Sequence, residues 1–304
     1  MSESVKKSLT KKISSKDANV GIISPWQWKR ILLRIFIYFI FAIFTVFALA
    51  PFYFLFTHSF KSGQDMIRYG ISIQPNFGAF TFDMYRLLFD PANSDYFIWY
   101  RNSVVFATVQ TVLALVFSSL VGYAIAVYKF KLRNFIFLLV LFVMMLPIEI
   151  MMIPLFRQMV AFNMINSMWG LVLPFLAAPI SVFFFRQYAL SLPMELADAG
   201  RIDGLTELGI FGRIMAPLMK PAYGAMAILI SMMSWNSMVW PMVVLRDSDM
   251  MTIPIGLNSL ITPHGHNFDL LMPGAVLAVI PLVVLYLLNQ KAFMTGLTVG
   301  GIKG

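Results

Sequence analysis

Six stretches of the chain, about 32–57, 103–128, 134–158, 167–185, 221–245 and 270–290, are apolar over the roughly 20 residues that a helix needs to cross a hydrocarbon layer. No water is present in that layer to pair with backbone N–H and C=O groups. A spanning segment is therefore a helix, which satisfies those groups internally, or a strand of a closed barrel. A barrel strand needs only about 10 residues, and these runs are about twice that. The expected fold class is an all-α membrane protein with six transmembrane helices. Composition agrees, since 59% of the 304 residues are hydrophobic and 12% charged, outside the range of a soluble domain. Cysteine is absent, which excludes disulfides, thiolate metal ligation and thiol chemistry.

Lysine and arginine set the expected orientation. Of the 23, 17 fall on one side if the N-terminus is cytoplasmic: seven within residues 1–30, then Arg34, Lys129, Lys131, Arg133, Arg186, Arg201, Arg213, Lys220, Lys291 and Lys303. The positive-inside rule then places both termini in the cytoplasm. The net charge of +9 is this bias. Because the basic residues flank spans and line no face of a folded domain, a nucleic-acid partner is excluded. Ala48-Leu49-Ala50 imitates a signal-peptidase site, but the run before it is too long for a signal peptide and follows a polar arm of 30 residues, so the first helix is read as uncleaved. The resulting organisation is a cytoplasmic N-terminal arm over 1–30, a transmembrane domain over 31–290 and a cytoplasmic tail over 291–304.

One polar, acid-rich segment, 186–220, separates the fourth and fifth spans. It carries Glu195, Asp198, Asp203 and Glu207 against Arg201 and Arg213, and Leu192, Leu196, Ala199, Ile202, Leu208 and Phe211 recur near helical spacing. Asp203-Gly204 is a turn signal, because Gly tolerates positive φ and Asp bonds back to its own backbone. Thr206-Glu207 reads as a helix restart, a capping hydroxyl followed by a first-turn acid. The segment is predicted to be helix, elbow, helix on the cytoplasmic membrane surface. Its acidity excludes binding to anionic lipid, which leaves docking of a partner protein.

Other features carry less. Ala114, Ser118, Gly122 and Ala126 form a small-residue stripe at every fourth position, which fits a seam with another subunit or ordinary packing within the chain equally well. In the third span Pro147 and Pro154 predict a kink around Glu149, an acid that either lines a pathway or sits wet near the outer end. The C-terminal GLTVGGIKG is not a Walker A loop, because Ile302 separates Gly301 from Lys303. His264 and His266 have no third ligand, so no metal site is expected. There is no nucleophile–base pair to suggest an enzyme.

The residues of the acidic segment resemble the coupling loop of ATP-binding-cassette importer permeases, which reads E-A-A-x-x-D-G, nine residues, then I-x-L-P. Asp198, Ala199, Gly200, Asp203 and Gly204 match the first part, and Ile214 and Pro217 the second with the same gap. Asp198 replaces Glu, Gly200 the second Ala and Ala216 the Leu. The extra glycine makes the first helix less stable than Ala would, by up to about 1 kcal/mol. From about residue 30 to the end the chain is similar to the carbohydrate-uptake permeases, and closest to the smaller, maltose-type subunit. Asn102-Ser103, YAIAVYKF at 123–130, MMLPIEIMMIPLF at 144–156, NSMWGLVLP at 166–174, Trp235-Asn236 with Pro241, and Gln290 followed by GLTVGGIKG carry that likeness.

The resemblance implies a non-catalytic subunit of the bacterial cytoplasmic (inner) membrane. Its partners would be a second related permease, two ATPase subunits that bind ATP and Mg, and an extracytoplasmic binding protein that delivers a sugar or oligosaccharide. It implies that Glu195, Asp198, Ala199, Gly200, Asp203, Gly204 and Pro217 couple to an ATPase, and that Gly300, Gly301 and Lys303 of the tail lie near it. Glu149, Trp235 and Asn236 are candidates for the transport pathway; for Asn236 the family pattern fits packing equally well. The competing reading is a stand-alone proton-coupled secondary transporter using Glu149. A structural membrane anchor is a third, which would leave Glu149, the kinked span and Asn236 without a role.

Overall fold

A computed structural model describes residues 25–70, 80–262 and 265–299. The architecture is helical, and the only strands among the described residues are β1 (Ile261–Thr262) and β2 (Gly265–His266), which pair antiparallel. Residues up to Phe54 form one unit and residues from Leu55 onward a second. The described part of the first is a single helix, α1 (Pro25–His58), apolar all round, which continues into the second unit.

The second unit opens with two short helices, α2 (Gly63–Tyr69) and α3 (Asp83–Phe89), in the segment after the first span. The long helix α4 (Tyr96–Val127) begins seven residues before the apolar run that announced it. Its early start is held by contacts that hydropathy does not register. The Tyr96 hydroxyl donates to the carbonyl of Gly274 at 2.8 Å. Asn102 Nδ2 donates to the carbonyls of Asp249 and Met251, and Ser103 Oγ accepts from the amide of Ile253. Trp99 lies so close to Gly256 of the helix α14 (Ile253–Ser259) that a Cβ there would sit 2.1 Å from the indole.

Three expected spans are broken. α5 (Arg133–Met144) and α6 (Ile148–Ala161) meet at 109°. The break falls at Met145–Pro147, where the residue before a proline is pushed out of the α region, while Pro154 sits inside α6. α7 (Met168–Val172), extended by a 3-10 turn to Phe175, meets α8 (Pro179–Ala189) at 43°. The predicted helix 221–245 is in fact α12 (Lys220–Trp235), a gap at 236–238, and α13 (Val239–Val244). The last helix, α15 (Phe268–Val299), runs past residue 290, so the start of the expected tail continues it. Three single helices are long and apolar enough to cross a membrane, as are three bent pairs, the third of which joins Glu207–Leu218 to Lys220–Trp235 and not α12 to α13.

α4 is the centre of the second unit and packs on α8 and α12. Its small-residue stripe is the seam: Ala114, Ser118, Gly122 and Ala126 are all buried. A Cβ on Gly122 would lie 2.8–2.9 Å from Phe185 Cβ and from the backbone of Arg186 and Val182. Of the two readings of that stripe, packing within the chain is the one observed. A core around Tyr123, Phe185, Met215 and Met219 joins α4 and α8 to the acidic segment. A second core surrounds Phe106, Leu171 and Trp240, and a third surrounds Tyr96, Trp99 and Trp235.

Candidate functional site

The acidic segment folds as α9 (Glu195–Ile202), an elbow, and α10 (Glu207–Ile210). The elbow is a Schellman closure. The amide of Leu205 donates to the carbonyl of Gly200 and that of Gly204 to the carbonyl of Arg201, at 3.0 and 3.1 Å. Gly204 takes φ +79°, a region closed at low cost only to glycine. Thr206 then caps α10 by accepting from the amide of Gly209 at 3.2 Å. Beyond α10 comes a π-helical turn (Phe211–Met215) and the short α11 (Ala216–Leu218). Pro217 lies in α11; lacking an N–H, it cannot donate to the carbonyl of Arg213, which is where the wide turn occurs. A 79° bend leads into α12, whose second residue is Pro221.

α9 seats itself with its small residues. Ala197 and Gly200 are buried. A Cβ at Gly200 would come 2.8 Å from Ile214 Cδ1 and 3.2 Å from Ile210 Cγ1, so glycine here gains close approach while lowering helix propensity. The larger apolar residues face outward: Ile202 is 86% and Leu208 76% exposed, with Leu196 and Ala199 also on the surface. Glu195 and Asp203 flank them, exposed.

The remaining acids are engaged within the chain. Arg201 donates from Nη1 to Asp198 at 2.6 Å and from Nε to Glu207 at 2.8 Å, across the elbow. Glu207 Oε2 also accepts from the Tyr128 hydroxyl at 2.8 Å. Hydrogen bonds from Arg201 and then Tyr128 hold the Glu207 carboxyl below its usual range. Burial, with the bond to Glu207, pushes the Tyr128 phenol up. The outcome is a clamp that ties both arms of the elbow to the end of α4. In the sequence Tyr128 belongs to the YAIAVYKF stretch at 123–130, which carries the family likeness but gives this tyrosine no role of its own.

The pathway candidates are not gathered in one place. Glu149 is exposed in the first turn of α6, where its charge suits the helix N-terminus. Trp235 is buried; its Nε1 donates to the carbonyl of Ala278 at 3.1 Å and its ring meets Tyr100 edge-on at 5.7 Å. Asn236 is exposed and turns its amide back to the carbonyl of Met232 at 2.9 Å. Gly300, Gly301, Lys303 and His264 lie outside the described residues, as does the side chain of His266.

Between the three broken helices lies a cavity of about 370 Å³ that the sequence did not announce. Ile148 borders it just past the first break, Ala178 at the second and Ser237 and Met238 at the third. Phe106, Phe175 and Trp240 supply rings, and Gln110 and Ser234 polar groups. Gln110 was detectable in principle, as an amide in the middle of a predicted span.

Comparison with known proteins places this geometry. The family described as "Binding-protein-dependent transport system inner membrane component" matches residues 114–298, and the chain belongs to that family. It is a multi-pass permease component. The arabinooligosaccharides transport system permease protein AraQ of Bacillus subtilis is 49% identical over 256 residues, 84% of this chain and 91% of the relative. The protein of the same description from Halalkalibacterium halodurans is 50% identical over 87% of this chain and 94% of its own length. The lactose transport system permease protein LacG of Rhizobium radiobacter is 32% identical over 75% and 82%. Among solved structures, a chain of a bacterial transporter that imports the acidic polysaccharide alginate shares the fold, with a TM-score of 0.77 over 90% of this chain and all of that one, at 22% identity.

Proposed function

We propose that this chain is the smaller membrane-spanning subunit of an ATP-binding-cassette importer that translocates a sugar, most specifically a short pentose oligosaccharide. Relatives named for arabinooligosaccharides, at 49% and 50% identity over most of both chains, support the substrate class. The observation that carries the mechanism is the elbowed segment 195–210, which exposes Leu196, Ala199, Ile202 and Leu208 while the Arg201 clamp fixes it to α4. An exposed apolar face tied to a long, unbroken helix suits a docking element that transmits force. In this reading Glu195, Asp198, Ala199, Gly200, Asp203, Gly204 and Pro217 form or shape the surface that an ATPase subunit grips. ATP and Mg act on that partner, and closure of an ATPase pair moves the docked helix and tips the spans between inward-open and outward-open states. A related permease completes the membrane unit, and an external binding protein delivers the sugar. Six spans, with both termini cytoplasmic in a bacterial inner membrane, are supported by the six apolar runs of the sequence, three of which are single unbroken helices, and by the lysine and arginine bias. Glu149 and Asn236 are proposed to line the path beside the cavity, and Trp235 to support it from behind.

Two measurements test this. Uptake of labelled arabinooligosaccharides, lactose and glycerol phosphates is compared in cells with and without the gene, and only the pentose oligomers should lose uptake. Ala199→Cys, in this cysteine-free chain, should crosslink to a cysteine in the cleft of its assembled ATPase with a yield that responds to nucleotide. Unchanged uptake of every sugar ends the substrate assignment, and no crosslink at any position from 195 to 205 ends the docking assignment.

A further inference from the structure

We propose that the cavity among the helix breaks is a sugar-binding subsite within this subunit, in which Gln110, Ser234 and Ser237 hold the hydroxyls of a sugar ring against Phe106, Phe175 and Trp240. The inference rests on the carbohydrate reading above and deepens it. A cavity of about 370 Å³ falls within the range of about 300–1,000 Å³ typical of small-ligand pockets, which are mostly apolar with a few convergent polar groups. The polar groups here have capacity to spare. Gln110 is 4% exposed; its Nε2 donates to the carbonyl of Phe175 at 2.9 Å, while its Oε1 is buried with no partner among the described residues. Ser234 is buried too, yet neither its hydroxyl nor that of Ser237 is hydrogen-bonded among the described residues. A buried acceptor left unmade carries the desolvation cost of its group.

The rings are held in place. Trp240 Nε1 donates to the carbonyl of Gly170 at 3.2 Å and its ring meets Phe175 edge-on at 6.0 Å, so the indole is anchored by its edge. Sugars combine an apolar ring face with hydroxyls that both donate and accept, and this lining matches both halves. A hydrocarbon chain would satisfy the rings and leave the amide oxygen and two hydroxyls unpaired. All three helix breaks open onto the same space, which is where backbone polar groups freed from their ladders are tolerated in a membrane protein.

The test uses the assembled importer in nanodiscs with Ser237→Cys, which exchanges oxygen for sulfur in a chain without other cysteines. The rate at which a small methanethiosulfonate labels this subunit is measured with arabinotriose, and separately with decan-1-ol as a hydrocarbon probe. At a sugar concentration about four times its dissociation constant, mass action slows labelling about fivefold. Adding Gln110→Met, which keeps length and removes the acceptor, should weaken binding about fivefold, the worth of one hydrogen bond, so that the same sugar concentration slows labelling only about 1.8-fold. Labelling that ignores arabinotriose, or protection by decan-1-ol alone, overturns the subsite. If arabinotriose uptake still depends on the gene, that failure leaves the carbohydrate reading standing. No protection, together with uptake of every sugar that is the same with and without the gene, overturns the two together.

Discussion

At position 204 an added side chain would meet nothing within 4 Å, yet the backbone there sits at φ +79°. The requirement is conformational and not steric, which makes it testable by grading substitutions. Holding a residue with a Cβ in that region costs about 1–2 kcal/mol, more for a β-branched side chain and less for Asn, which bonds locally. Gly204→Val should therefore insert normally but release or uncouple the ATPase, while Gly204→Asn retains most coupling. Co-purification and transport of both variants check this, and wild-type behaviour of the valine variant would refute the elbow's role. Other single residues show why sequence reading stopped where it did. Asn166 belonged to a matching motif with no stated role; it takes φ +56° and its Oδ1 accepts from the amides of Arg246 and Asp247. Asn102 and Ser103 likewise hold the 249–253 segment. Their partners lie about 80 to 150 residues away, beyond any local pattern.

Helices were legible to the extent that their cause was local. The elbow of α9 and α10 follows from a glycine, a capping threonine and acid placement, all adjacent in sequence, and the structure bends there. The break before Pro147 had the same kind of signal. The gap at 236–238 did not, because Trp235-Asn236-Ser237 is neither proline- nor glycine-rich. Span positions therefore came out of hydropathy, but continuity did not. The small-residue stripe was visible while its partner was not. Now that Gly122 is seen 2.8–2.9 Å from α8, Gly122→Leu should force α4 and α8 apart, since overpacking costs about 1–3 kcal/mol or more. A thermal unfolding scan of the purified protein should show a midpoint several degrees lower, roughly 2–4 °C for each 1 kcal/mol lost in a chain of this size. An unchanged midpoint would mean the seam is looser than it looks.

Across the molecule, α4 is unlike the broken helices around it: 32 residues with no interruption. Gln110 on it borders the cavity, and Tyr128, just beyond its end, grips the clamp. The two are 18 residues apart, about 27 Å along a helix axis. Spin labels on Phe97→Cys and Phe117→Cys, about 30 Å apart at 1.5 Å per residue, should keep one distance with and without nucleotide in the assembled importer. A distance that changes would show that α4 bends and that another element carries the signal. A rod that does not flex turns a small tilt at one end into a proportionate sweep at the other, so the geometry of α4 sets a gear ratio. The reach of whatever pulls on the elbow and the stroke delivered at the cavity are then fixed by one length, and lengthening α4 by a turn would alter the stroke without touching either contact surface.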